Sequence, residues 1–228
     1  MAATGNELEI HLKDGLCKVI EGTARRSYFS TSEAVGLALL GMNQGSTTTT
    51  VKWMDFLASK GLAFGSSGKD SFTIMVIPEK EREISYQRGS GTALRLKVTY
   101  PQLIMAVRMI DAKVNKTMFF VLKAGEEKKL TIASTSNVMA PFSYGNVYEH
   151  GGVCWGNTQI KDIVHPADVE GAFFESAFNG DLFHPSTWGG RDASFPELVE
   201  RTEGKLPIPV AGQFTKSVAG VVQDIGRS

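Results

Sequence analysis

Apolar and polar positions alternate through Leu8-Glu9-Ile10-His11-Leu12, and Asp14-Gly15 supplies hairpin turn chemistry before Leu16-Cys17-Lys18-Val19-Ile20 returns. This pattern predicts an opening β-hairpin. Thr31 or Ser32 can cap a helix that carries Ala34, Leu37, Ala38 and Leu40 at helical spacing. A second helix is predicted from about Val51 through Trp53, Phe56 and Leu57, with Gly61 as its stop. Strand-like runs then follow at 72–77, 83–86, 94–98 and 103–109, with Pro101 breaking the chain between the last two. Another run at 117–122 leads through a charged turn at 125–129 to Leu130-Thr131-Ile132-Ala133, the rhythm of a meander.

Beyond Cys154 the period changes from strand to helix. Pro166 stands at a favourable first helical position, and Val169, Ala172, Phe173, Ala177 and Phe178 recur at helical spacing until Asn179-Gly180 ends the run. Gly189-Gly190 breaks the chain before a short helix at about 196–201, and Pro207 and Pro209 begin a looser tail. The expected class is α+β: an N-terminal hairpin and helices over 1–70 packed on the core, a main domain over 71–206, and a C-terminal tail over 207–228.

Composition narrows the function classes. With 42% apolar and 21% charged residues in 228, the chain has the make-up of an ordinary globular protein with a real core. Its formal net charge is zero, and basic residues such as Arg25-Arg26 and Lys128-Lys129 come in pairs without forming a stripe, which argues against nucleic acid as a partner. No apolar run approaches the roughly 20 residues that span a bilayer, and the first residues have neither a basic start nor an apolar stretch, so the expectation is a cytoplasmic protein with no membrane partner. Thiols stay reduced there, making Cys17 and Cys154 free. His11, His150, His165 and His184 are scattered without ligand spacing, so neither a metal nor another cofactor is expected. Gly65-Ser66-Ser67-Gly68-Lys69-Asp70 evokes a phosphate loop, but Ala63 and Asp70 occupy positions where such loops need Gly and Ser or Thr; it reads as a flexible turn.

Candidate chemistry concentrates at 146–154, where Asn146 precedes Cys154 by eight residues across a glycine turn. A thiol is a nucleophile and a carboxamide can hold an oxyanion, so the pair has the parts for acyl transfer. Plainer readings stand beside this: Cys154 as a small buried hydrophobe, and Asn146 as a turn residue bonded to its own backbone. Tyr144, Tyr148, Gly151 and Trp155 are expected to support the loop. His150 is expected to face solvent, and Cys17 to be buried on its strand. Phe173, Phe174 and Phe178 are expected in the core.

Pro141-Phe142, Asn146-Val147-Tyr148-Glu149, Val153-Cys154-Trp155-Gly156 and Phe173-Phe174-Glu175-Ser176-Ala177-Phe178 together resemble prokaryotic E2 family D, the family called PRTRC system protein B. The loop itself resembles the active-site loop of ubiquitin-conjugating (E2-type) enzymes, and the later Pro166-Ala167 step resembles their entry into the following helix. Two departures accompany the likeness: Tyr144-Gly145 replaces the usual His-Pro, and Trp155 follows the cysteine where leucine is common. The resemblance implies an antiparallel meander sheet flanked by helices. It also implies that Cys154 takes a ubiquitin-like protein as a thioester from a ThiF-related, E1-like activating enzyme and passes it to an amine on a protein acceptor, with Asn146 holding the oxyanion. Asp162, Asp181 and Asp192 are the carboxylates that could orient that amine. The alternatives are a catalytically silent docking module of the same fold and a structural protein of a mobile-element cassette.

Overall fold

The computed structural model describes residues 8–13, 16–21, 24–29, 61–67, 70–87, 92–111, 113–127, 130, 134–158, 160, 163 and 166–226. β1 (Leu8–Lys13) and β2 (Leu16–Glu21) form the hairpin that the opening alternation predicts, and β3 (Ala24–Phe29) pairs with β2. The two helices expected between 31 and 57 lie outside the described residues, as does the strand expected at 130–133 apart from Leu130.

Strands β4 (Gly61–Ser67), β5 (Asp70–Ile77), β8 (Leu103–Ile110), β9 (Lys113–Leu122) and β10 (Met139–Pro141) complete an eight-stranded sheet in the order β10-β9-β8-β5-β4-β1-β2-β3. Of the flexible turn expected at 65–70, Gly65, Ser66 and Ser67 are strand instead, pairing with Phe72, Ser71 and Asp70 of β5. Gly68 and Lys69, which would make the turn itself, lie outside the described residues. β6 (Lys80–Tyr86) and β7 (Leu94–Tyr100) leave the large sheet and form a second, smaller one with β11 (Ala177–Phe178), which joins β6 in parallel.

β8 of the large sheet is buried on both faces. Its alternate residues Leu103, Met105, Val107 and Met109 enter one core while Ile104 and Ala106 enter another, so the strand reads as a continuous apolar run. On the first face lie β6 and β7, helix α1 (Pro166–Glu175) and helix α2 (Phe195–Arg201). The second face is covered by α3 (Val218–Gly226), which buries Val218, Val221 and Ile225 against Ile74, Ile104, Met118 and Phe120. Each such fully buried aliphatic side chain contributes about 1.5–3 kcal/mol of burial free energy, which holds this segment as a packed helix where the sequence suggested a loose tail.

α1 positions the site. It starts at Pro166, with Asp168 in its first turn, and buries Val169, Phe173 and Phe174 one above another. The helix stops earlier than its apolar spacing suggests. At Ser176 the backbone N–H still donates to Ala172 and Phe173, while the hydroxyl donates to the Phe173 carbonyl at 2.6 Å. Ala177 and Phe178 then turn extended and bond to β6, so these two residues belong to a strand and not to the helix. Arg82 of β6 clasps α1 from the other side through an ion pair with Glu170, its guanidinium 3.9 Å above the centre of the Phe174 ring.

Candidate active site

Residues 146–154 form a small hairpin on the edge of β9. Val147 bridges Val153, the Tyr148 N–H donates to the Gly152 carbonyl at 2.9 Å, and the Cys154 N–H donates to the Asn146 carbonyl at 2.8 Å. Phe119 donates to the Gly151 carbonyl and Val153 to the Thr117 carbonyl, continuing along the edge that β10 occupies further on. Two consecutive positive φ values launch the hairpin, +124° at Gly145 and +57° at Asn146. Glycine is needed at the first, and asparagine is among the few side chains that tolerate the second. A proline ring fixes φ near −65°, so this backbone path has no place for the His-Pro step of most eukaryotic conjugating enzymes.

Asn146 is buried at 6% exposure and ties the hairpin to the end of α1. Its carboxamide nitrogen donates to the Ala177 carbonyl at 2.9 Å and reaches the Ser176 hydroxyl at 3.4 Å, and its oxygen accepts from the Asn179 N–H at 3.4 Å. Because the Ser176 hydroxyl spends its own hydrogen on the Phe173 carbonyl, it is an acceptor toward Asn146. Both N–H donors of the carboxamide are therefore directed inward.

Cys154 is a half-buried free thiol at a pocket of about 370 Å³ lined also by Gln87, Asn146, Trp155, Asn157, Ala177 and Asn179. Four carboxamides, Gln87, Asn146, Asn157 and Asn179, and the Thr158 hydroxyl are among its polar side chains. The pKa of the exposed Tyr148 phenol is raised above its ordinary value by the neighbouring Cys154, through hydrogen bonding and the negative charge that the sulfur can carry. Tyr148 also stacks on His150 with ring centres 5.5 Å apart and planes 7° apart; His150 is exposed.

The other loop residues hold the hairpin in different ways. Tyr144 is fully buried, donates its hydroxyl to the Pro207 carbonyl and stacks on Trp188 at 5.2 Å; desolvation drives its pKa far above the usual value. Gly151 makes the turn at φ +93° against the Phe120 ring. Trp155 is half-buried and meets Phe173 edge-on at 6.2 Å. Phe173, Phe174 and Phe178 lie in the core, as their spacing suggests. Of the carboxylates considered for orienting an amine, Asp192 is paired with Arg201 at 2.7 and 2.9 Å and Asp181 is exposed, while Asp162 lies outside the described residues; neither described carboxylate lines the pocket. Gln87 and Asn157 escaped the sequence analysis, and Ser176 and Asn179 entered it only as parts of the helical run and its end, because no periodicity or spacing marks isolated polar residues that converge only on folding.

A family model described as Prokaryotic E2 family D matches residues 39–203, a span that contains the pocket, the hairpin, α1 and α2. No curated protein and no solved structure matches the chain. No helix among the described residues is long and apolar enough to cross a membrane.

Proposed function

Since this chain belongs to prokaryotic E2 family D, we propose that it is a thioester carrier: Cys154 accepts the C-terminal acyl group of a ubiquitin-like protein from an E1-like, ThiF-related enzyme and passes it to an amine on an acceptor protein. The observation that carries this is the half-buried free thiol at the mouth of a pocket, on a hairpin fastened at both ends. Thiol-to-thiol transfer exchanges one thioester for another and is nearly neutral in energy, so the site needs a nucleophile, an oxyanion donor and room for an extended tail. Carboxamides along the pocket suit the peptide groups of such a tail, to which they can both donate and accept. Asn146 sets the geometry of the hairpin, and the longer of its two donor contacts, to Ser176, is the one that yields to a developing oxyanion.

One observation favours a second reading, a catalytically silent docking module: both carboxamide donors of Asn146 are engaged within the fold. A charging assay separates the two. With an activating enzyme, a ubiquitin-like protein and ATP, a carrier gives an adduct on a non-reducing gel that thiols release. The adduct is absent in Cys154→Ala, persists as a thiol-resistant ester in Cys154→Ser and is unaffected by Cys17→Ala. A silent module gives no adduct in any of them.

A further inference from the structure

We propose that Ser176 is a positioning residue for acyl transfer, one that turns the second N–H of the Asn146 carboxamide away from the reacting carbonyl and so acts as a brake on the oxyanion donor; the inference rests on the carrier reading above. Ser176 follows the last residue of α1 and is buried. A hydroxyl has one hydrogen to give, and this one goes to the Phe173 carbonyl at 2.6 Å. That bond pins the rotor. Toward Asn146 the hydroxyl therefore shows only lone pairs, and the carboxamide nitrogen donates to them at 3.4 Å. The other two ties of the carboxamide run to backbone: its nitrogen donates to the Ala177 carbonyl at 2.9 Å and its oxygen accepts from the Asn179 N–H at 3.4 Å, on a stretch that Ala177 and Phe178 fasten to β6. These two set the plane of the amide. An ordinary N–H···O bond spans about 2.7–3.2 Å, so the Ser176 contact is the stretched donor bond and the one exchanged at least cost.

The nucleophile lies close to this donor. Asn146 and Cys154 line one pocket, and the Cys154 N–H donates to the Asn146 carbonyl at 2.8 Å across the hairpin. As the Cys154 thiolate forms its S–C bond to an incoming thioester, the carbonyl π pair moves to oxygen, and the Asn146 N–H leaves the Ser176 lone pair for this charged, stronger acceptor. When the carbonyl re-forms, the S–C bond to the donor thiol breaks and the donor departs as thiolate. The carboxamide keeps its proton throughout and returns to Ser176. Taking away the Ser176 hydroxyl leaves that N–H buried and unpaired in the resting chain, a state that costs free energy and that the oxyanion relieves. The resting chain is raised and the tetrahedral intermediate is not, so the barrier falls.

The test compares the full chain with Ser176→Ala, Asn146→Gly and the double variant. Two rates are followed at Cys154 by mass: acylation by a glycylglycine thioester of mercaptoethanesulfonate, and alkylation by iodoacetamide, whose displacement of iodide forms no oxyanion. Ser176→Ala leaves the Ala177 and Asn179 ties of the carboxamide in place. It is expected to speed acylation by about 2–10-fold, the worth of one neutral hydrogen bond, with alkylation unchanged. In the Asn146→Gly background the same substitution is expected to bring no gain, because no carboxamide is left to release. Acylation of Ser176→Ala that is unchanged or slower, an equal change in both rates, or an equal gain in the Asn146→Gly background overturns the brake and leaves the carrier reading intact. A parent chain that takes no acyl group at Cys154 overturns both.

Discussion

Gly151 lies so close to Phe120 that a Cβ added to it would stand 2.2 Å from Cζ of the ring. The site's hairpin is thereby pressed onto β9, with the ring on one side and the Phe119 N–H on the Gly151 carbonyl at 2.9 Å. The φ of +93° adds a second constraint, since side chains with a Cβ rarely adopt it. Gly151→Ala is expected to destabilise the protein by about 2–4 kcal/mol through overpacking and backbone strain. Urea unfolding measures the loss, and the rate of Cys154 alkylation reports whether the loop has moved.

Asn146 serves backbone and side chain at once, and two substitutions separate these roles. Asn146→Gly keeps the left-handed φ of +57° but removes the bonds to Ala177, Ser176 and Asn179. Asn146→Ala loses the same bonds and adds strain of about 1–2 kcal/mol, so it should be the less stable of the two by that amount in chemical denaturation. Discharge of a preformed thioester to amines should slow in both variants. Equal discharge by parent and variants would remove Asn146 from the chemistry.

The parts of the fold legible in sequence are those written as a period. The β1–β2 hairpin, strands β5 to β9 and the start of α1 follow directly from alternation, turn residues and Pro166. The end of α1 was not legible, because Ala177 and Phe178 sit at helical spacing yet gain more by bonding to β6, a strand ninety residues away in sequence. α3 was hidden for a related reason: Val218, Val221 and Ile225 mean little until the second face of β8 is known to need cover. At the site, the cysteine and asparagine could be singled out, but the direction of the carboxamide depends on where Ala177 and Ser176 come to rest.

The clasp between β6 and α1 should depend on guanidinium geometry as well as charge. Arg82 pairs with Glu170 while lying over Phe174, and the two charged side chains are only 13% and 14% exposed. Arg82→Ala is expected to cost about 1.5–3 kcal/mol, the range for a lost hydrogen bond to a charged group. Arg82→Lys should recover part of this, since it restores charge but not the planar fork. Full recovery by lysine would show that the ring contact adds nothing.

Asp192 gives the fold an acid-sensitive tie. The Arg201 hydrogen bonds, aided by its positive charge, hold the Asp192 carboxyl below the usual carboxylate range. A carboxyl depressed in the folded state adds stability that is present above its unfolded pKa of about 3.9 and lost as pH falls through the lower folded value. Denaturant midpoints at neutral pH and below pH 4 should therefore differ more for the parent than for Asp192→Asn. An identical pH dependence in the two proteins would show that the pair contributes nothing to acid stability.

The carrier account stands most directly on the mass of the whole chain after brief incubation with an E1-like enzyme, a ubiquitin-like protein and ATP. The account predicts one added modifier less one water, located at Cys154 and removed by neutral hydroxylamine. A chain that keeps its starting mass while the activating enzyme is itself charged, or that carries the modifier on a residue other than Cys154, would contradict it.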